Sequence, residues 1–184
     1  MSWWSHAEKE VESPPTPPDE RGLAFAWQTH AAISDWTSKV DTKSSIVLSL
    51  GGAVLGFCVI LTGDGRLLDG LHGWRDRFVT AGLAALALGV LVAAFAVFPR
   101  LKRRQARKNW PSNYVYFGHL RHWKPADLKA ALLHQSIDEQ LEVLATQLVT
   151  ASKISWNKHT TLQLAMVLLT IGSGLIGAAA VWPK

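Results

Sequence analysis

Polar and apolar residues are segregated along this chain. Three segments, 44–62, 78–98 and 160–182, contain no charged residue and hold 19, 21 and 23 residues. At a rise of about 1.5 Å per residue, helices of these lengths span roughly 28 to 34 Å, against a hydrocarbon core of about 30 Å. The pattern predicts three transmembrane helices. Core helices of a soluble bundle are the alternative, but these are usually shorter and apolar on one side only.

Two of the spans are predicted to continue beyond the membrane as long helical stems. The 24 residues "ERGLAFAWQTHAAISDWTSKVDTK" run into the first span without a helix breaker. Apolar residues recur there at helical spacing, at Phe25, Ile33, Trp36 and Val40. Before the third span, "SIDE" forms a capping box with Ser136 at the N-cap and Glu139 at N3. A helix of about 45 residues is expected to start there. Whether the stems pack parallel or antiparallel is left open.

The remaining segments complete the predicted organisation. Residues 1–19 are acidic and proline-rich, which predicts a disordered tail. Residues 20–184 form a single membrane domain, with a cytoplasmic segment at about 99–159. In that segment Pro99 ends the second span and Pro125 begins a short helix, "PADLKAALLH". The predicted fold class is an all-α membrane protein with three transmembrane helices, two cytoplasmic stems and a small helical cytoplasmic segment.

Charge distribution gives the orientation. The chain has 19 Lys+Arg and 14 Asp+Glu. Between the first two spans three arginines are balanced by three aspartates, whereas residues 99–159 carry eleven Lys/Arg against four acids. Because positively charged loops stay in the cytoplasm, this segment and the N-terminus are predicted to be cytoplasmic. The single cysteine, Cys58, lies within a span and excludes an intrachain disulfide.

The chemistry of most enzymes and transporters is missing from the sequence. The three spans contain no Asp, Glu, His, Lys or Arg, which argues against a pump, a transporter or a membrane-embedded protease. We find no nucleophile with a plausible base and no glycine loop that would hold a phosphate. His119 and His122 are three residues apart, but zinc needs three or four ligands, and no cysteine and few carboxylates lie nearby. No catalytic site, metal site or cofactor is predicted.

Four polar residues are predicted to lie at one depth near the cytoplasmic interface: Asp41, Lys43, Lys158 and His159. They are interpreted either as lysines that extend to the interface beside a solvated aspartate, or as a coupling site. In the second interpretation an Asp41–Lys158 ion pair sets the relative rotation of the two stems.

Small residues also recur four apart within the spans. The pairs are Gly52 and Gly56, Ala85 and Gly89, and Ser173 and Gly177. This spacing lets helix backbones approach closely, but it also arises by chance in Ala/Gly-rich spans.

A basic and aromatic region follows the second span. "LKRRQARK" at 101–108 is succeeded by "NYVYFGHLRHW" at 113–123. The basic residues can bind anionic lipid head groups, and the aromatic rings can fill the gap between the stems. Alternatively, the rings stack on a base while the polar side chains bind a phosphate or a base edge. The candidate ligand-binding residues are Arg103, Arg104, Arg107, Asn113, Tyr114, Tyr116, Phe117, His119 and Arg121.

Three segments resemble the transmembrane effectors of bacterial Pycsar antiphage systems. They are "DWTSKVDTKSSIVLSLGGAVLGF", "NYVYFGHLRHW" and "ASKISWNKHTTLQLAMVLL", in this order, and the resemblance covers about residues 25 to 180. In such systems a cyclase makes cyclic CMP (cCMP) or cyclic UMP (cUMP) on infection, and the effector senses it and damages the inner membrane. The resemblance implies a non-enzymatic effector in the bacterial inner (plasma) membrane.

The leading hypothesis is therefore a ligand-gated antiphage effector. Its partners would be the lipid bilayer, a cyclic pyrimidine nucleotide and further copies of itself in a homo-oligomer, with no nucleic acid polymer. The outcome would be growth arrest or abortive infection. The alternative is a ligand-independent membrane interaction protein or a holin-like pore former. A membrane enzyme of another type is disfavoured by the missing acid, base and nucleophile.

Overall fold

The computed structural model describes residues 20–98 and 113–181. Five helices make up almost all of these residues, and no strand occurs among them. In chain order they are α1 (Glu20–Leu61), α2 (Trp74–Val97), α3 (Phe117–Leu120), α4 (Pro125–His134) and α5 (Ile137–Val181). The predicted tail at 1–19, the basic residues at 101–108 and Pro99 lie outside the described residues.

The three long helices, α1, α2 and α5, are each long and apolar enough to cross a membrane. Each packs against the other two. The prediction of an all-α membrane protein with three spans is therefore confirmed. The bounds of α1, α4 and α5 follow the sequence pattern closely, whereas α2 begins at Trp74, before the charge-free segment that starts at residue 78.

The stems of α1 and α5 run in the same direction. Asp41 pairs with Lys158, and further along both helices Gly51 packs against Leu169. Residue numbers therefore increase together, and the two helices are parallel. Apolar residues in both stems are buried, as at Val40 in α1 and Leu144 in α5.

Glycines let α2 and α5 approach closely. A Cβ added at Gly82 would lie 2.9 Å from the carbonyl oxygen of Gly172, and one added at Gly172 would lie 2.8 Å from the carbonyl oxygen of Gly82. Gly89 packs against Leu168 and Leu169, so the helices are antiparallel. This contact leaves no room for a side chain at the crossing.

The small-residue pairs seen in the sequence are used only in part. Gly89 lies against α5, as close helix association requires. At Gly52, Gly56 and Gly177, however, an added Cβ would meet nothing within 4 Å. These three glycines therefore do not mediate close packing within one chain.

Side chains complete both ends of α5. At its start the predicted capping box is present: the Ser136 backbone N–H donates to Glu139 Oε2 at 2.9 Å, and the Glu139 N–H donates to Ser136 Oγ at 3.2 Å. At the far end, Arg75 Nε donates to the carbonyl oxygen of Ala179 at 3.0 Å. That carbonyl belongs to the last turn of α5, where a cation also opposes the negative end of the helix dipole.

Candidate cytoplasmic ligand site

A turn organised by Asn113 begins the aromatic segment 113–123. Its side-chain Oδ1 accepts hydrogen bonds from the backbone N–H groups of Val115 at 3.1 Å and Tyr116 at 3.2 Å. The side chain is buried and holds the backbone ahead of α3. Because this oxygen is already used, Asn113 positions the segment.

Three rings pack together around α3. The Tyr116 ring centroid lies 4.6 Å from that of Phe117 and 5.3 Å from that of His119, the latter in an edge-on arrangement. Gly118 lies beneath the Tyr116 ring, and a Cβ there would overlap it. The glycine therefore allows the ring to fold over its own helix.

The Tyr114 side chain faces the start of α5. Burial raises the pKa of its phenol, the Gln135 side chain opposes that rise, and the Glu139 carboxylate adds to it. Despite the closeness of Gln135, the buried hydroxyl makes no hydrogen bond to any residue within 20–98 and 113–181. Tyr114 thus connects the aromatic segment to the capping box of α5 and retains unused hydrogen-bonding capacity.

His119 contributes a second buried polar atom, its Nδ1, which likewise has no hydrogen-bond partner in the described part of the chain. Burial lowers the pKa of the imidazole, and the neighbouring His122 lowers it further. His119 is therefore biased towards the neutral form, in which one ring nitrogen donates and the other accepts. The Arg121 Nε donates to His122 Nε2 at 3.2 Å.

Two predicted ligand residues are open to solvent. Phe117 is 65% exposed although it is aromatic, and Arg121 is also exposed. Together with Tyr114 and His119 they offer an aromatic face, a cation and two unpaired polar atoms on one short segment. Arg103, Arg104 and Arg107 lie outside the described residues.

The juxtamembrane residues form a separate group. Lys158 Nζ lies 2.5 Å from Asp41 Oδ1, so the Asp41–Lys158 ion pair predicted from the sequence is present in the structure. Lys43 and His159, in contrast, are exposed. Along α5, Lys158 lies 19 residues beyond Glu139, which corresponds to about 28 Å. The structure therefore does not bring the two predicted groups together.

Sequence reasoning missed two residues of this region, Gln135 and Glu139, which lie against Tyr114. Their positions at the start of α5 suggested only a helix cap. Two open depressions on α5 were also not predicted. One, of about 500 Å³, is lined by Ser152, Lys153, Trp156 and Asn157. The other, of about 520 Å³, is lined by Gln163, Met166, Val167, Thr170 and Ile171.

No group of three or more potential metal ligands occurs within residues 20–98 and 113–181. The polar and aromatic side chains of segment 113–123 are suited to hold an organic ligand by stacking and hydrogen bonding. The architecture is thus that of a membrane protein whose helical stems, outside the spans, carry a candidate binding segment.

The comparison with family models specifies this class further. Residues 25–183 match the model of the Pycsar effector protein domain, and the chain belongs to that family. It is accordingly an effector of antiphage defence, and its family is not a known enzyme family. Comparisons with curated proteins and with solved structures each give no match.

Proposed function

We propose that this effector binds a cyclic pyrimidine mononucleotide, cCMP or cUMP, at segment 113–123 and then permeabilises the bacterial inner membrane. The N-terminus, the stems and the segment would face the cytoplasm, where such a nucleotide is made. The excess of Lys/Arg in residues 99–159 supports this orientation. Growth arrest would follow from loss of the membrane barrier.

The observation that carries the proposal is that two buried atoms, the Tyr114 hydroxyl and His119 Nδ1, have no hydrogen-bond partner among the described residues. A buried polar group without a hydrogen bond costs about 1–3 kcal/mol. A ligand that provides a partner for either atom recovers part of that cost on binding. Two such atoms within six residues favour a ligand over a purely structural role.

The chemistry of a cyclic mononucleotide matches the rest of the segment. It has one flat base and one singly charged phosphodiester. The exposed Phe117 ring offers a stacking surface, a contact that contributes about 1–3 kcal/mol per base in nucleic-acid-binding proteins. The Arg121 guanidinium can pair with the phosphate. The other two rings of the segment, Tyr116 and His119, are already packed together. A pyrimidine base, which is smaller than a purine, therefore suits the segment better.

The stems provide a route from this segment to the membrane. Tyr114 lies against the first turn of α5, and α5 continues as one helix from there through the membrane. A ligand that rotates or tilts this helix would act on the Asp41–Lys158 pair at the membrane mouth. At 100 times its dissociation constant, a ligand shifts a two-state equilibrium by about 2.7 kcal/mol per site. Several copies that respond together in a homo-oligomer would sharpen the response.

Calorimetric titration of the detergent-purified protein tests the proposal, with cyclic CMP, UMP, AMP and GMP at two salt concentrations. We expect one of the pyrimidine nucleotides to bind and the purines not to bind. Dye release from protein-containing vesicles should increase with the same nucleotide. If folded protein binds none of the four, the ligand-independent pore former becomes the better interpretation.

A further inference from the structure

The 45-residue helix α5 has one side that no other described part of the chain covers. Val149, Trp156, Gln163, Thr170 and Gly177 lie seven residues apart, and all five are exposed. Residues at this spacing drift around a helix by only about 20° per step, so successive members of the series lie on one side of α5. We call this surface the outer face of α5. The two open depressions described above lie along it, one around Trp156 and one around Gln163 and Thr170.

Within the membrane this face is unlike the other exposed surfaces of the bundle. On α2 the exposed residues include Leu91 and Phe95, large apolar side chains that suit lipid tails. The outer face of α5 instead presents an amide at Gln163, a hydroxyl at Thr170 and bare backbone at Gly177. Polar and small residues of this kind are enriched where transmembrane helices contact each other.

Gln163 points to the identity of the partner. Its side chain makes no hydrogen bond to any described residue, although it lies inside the charge-free segment 160–182. The hydrocarbon core has no water to pair with such a group. An amide carries both donors and an acceptor, so the same side chain of a second copy satisfies it.

Above the membrane the outer face of α5 exposes two large apolar side chains. Val149 is 54% exposed and Trp156 is 70% exposed. Val149 lies about 16 Å along the helix from residue 160, at which the charge-free segment starts. At the level of Val149, water surrounds any part of the stem that is not covered. A partner that covers the outer face in the bilayer would also cover these side chains. A second copy of α5 extends equally far, whereas a lipid does not.

Helix α1 provides the comparison. It also has exposed small residues in the membrane, Ser49 and Gly56. The same face continues into the stem at the positions seven and fourteen residues before Ser49. These are Thr42 and Asp35, and Asp35 forms an exposed ion pair with Lys39. The stem part of this face is therefore polar and suited to water, whereas the stem part of the outer face of α5 presents Val149 and Trp156.

We infer that copies of this chain associate through the outer face of α5, helix against helix, around an axis along the membrane normal. All copies have the same orientation in the bilayer, so residues of equal number meet at equal depth. Gln163 then faces Gln163, and Gly177 permits close backbone approach. Lys153 also lies in this region, so two copies of it would repel each other. It is in the aqueous part of the helix, where salt screens the repulsion between like charges. The inference rests on the proposed function, since it gives the membrane-permeabilising assembly its contact surface.

Disulfide formation in native membranes tests the contact, in a Cys58→Ala background that removes the only cysteine. Val167→Cys places a thiol on the outer face, and Leu91→Cys is the matched control. Leu91 is 66% exposed on α2, close in depth because Gly89 lies against Leu168 and Leu169. Under mild oxidation we expect a covalent dimer from Val167→Cys at least about fivefold more abundant than from Leu91→Cys. Equal yields, or no dimer from Val167→Cys, would overturn the inference.

Glycine substitutions provide a second test that does not disturb the monomer. A Cβ added at Gly174 or at Gly56 would meet nothing within 4 Å inside one chain. The two positions lie at similar depth, because Asp41 is level with Lys158 and Gly51 with Leu169. Gly174→Leu should reduce the Val167→Cys dimer severalfold, whereas Gly56→Leu should leave it unchanged. An effect of Gly56→Leu alone would assign the contact to α1 instead.

The two proposals can fail separately, because crosslinking is measured both without nucleotide and with cyclic CMP or UMP. A Val167→Cys dimer that forms regardless of nucleotide, with no nucleotide binding by calorimetry, would support the contact and contradict the proposed signal. Nucleotide binding without any preferential Val167→Cys dimer would support the signal and contradict the contact.

Discussion

Lys158 and Asp41 join the two stems at the mouth of the membrane, with Lys158 Nζ 2.5 Å from Asp41 Oδ1. Their side chains are 23% and 45% exposed, so the pair is neither buried nor fully solvated. Solvent screening limits the contribution of such pairs to stability, to about 0–1 kcal/mol for exposed ones. Its position, between the candidate ligand segment and the spans, is better suited to fixing how the stems are rotated relative to each other.

Neutralising one partner should therefore affect signalling more than stability. Asp41→Asn is expected to reduce stability by about 0.5–1 kcal/mol, measured by thermal unfolding in detergent. It should also change nucleotide-dependent dye release from vesicles clearly. Asp35→Asn is the matched control, since Asp35 pairs with Lys39 inside α1 and does not contact α5. Equal effects of the two variants on dye release would contradict a coupling role.

Removal of the Tyr114 hydroxyl should separate ligand binding from packing. Because this buried oxygen has no hydrogen bond, Tyr114→Phe is expected to leave the stability of the free protein unchanged or slightly higher. If the ligand pairs with the hydroxyl, affinity should fall about tenfold, the loss of roughly 1.4 kcal/mol. Thermal unfolding and calorimetry measure the two effects. A variant with lower stability and normal affinity would show that Tyr114 serves packing only.

His119 should make stability depend on pH. Burial lowers its pKa below the ordinary value of 6.5, so the unfolded chain binds a proton more readily than the folded one. The stabilisation is then complete above pH 6.5 and is lost as pH falls from there through the lower folded pKa. We expect the melting temperature of the wild type to drop more between pH 7.5 and 5.5 than that of His119→Gln. A parallel drop in both proteins would assign the effect to other groups.

The close crossing of α2 and α5 should tolerate no side chain. A Cβ at Gly82 would lie 2.6 Å from Ile176 Cγ1 and 2.9 Å from the Gly172 carbonyl oxygen. Gly82→Ala is thus expected to destabilise the fold by about 1–3 kcal/mol, the usual cost of overpacking. Gly52→Ala serves as the control, because an added Cβ there meets nothing within 4 Å. Thermal unfolding compares the two, and equal melting temperatures would contradict this account of the packing.

The sequence alone determined the elements of this protein. The charge-free segments set the three spans, the "SIDE" capping box set the start of α5, and Pro125 set the start of α4. Such signals are local, because caps, prolines and apolar periodicity act within a few turns of one helix. The sequence placed Asp41 and Lys158 at one depth near the membrane mouth and offered the ion pair as one of two interpretations, and the structure shows the pair.

Only the tertiary structure decided which faces of those helices meet. Glycines are chemically alike in the sequence, yet Gly82 and Gly172 contact each other while Gly56 and Gly177 remain open. Likewise, the sequence did not reveal that Gln163 would face away from the bundle or that Tyr114 would lie beside Gln135. A helix sequence specifies its own periodicity, but the side that becomes buried depends on the crossing angle and register of its partners, which are properties of the packed helices together.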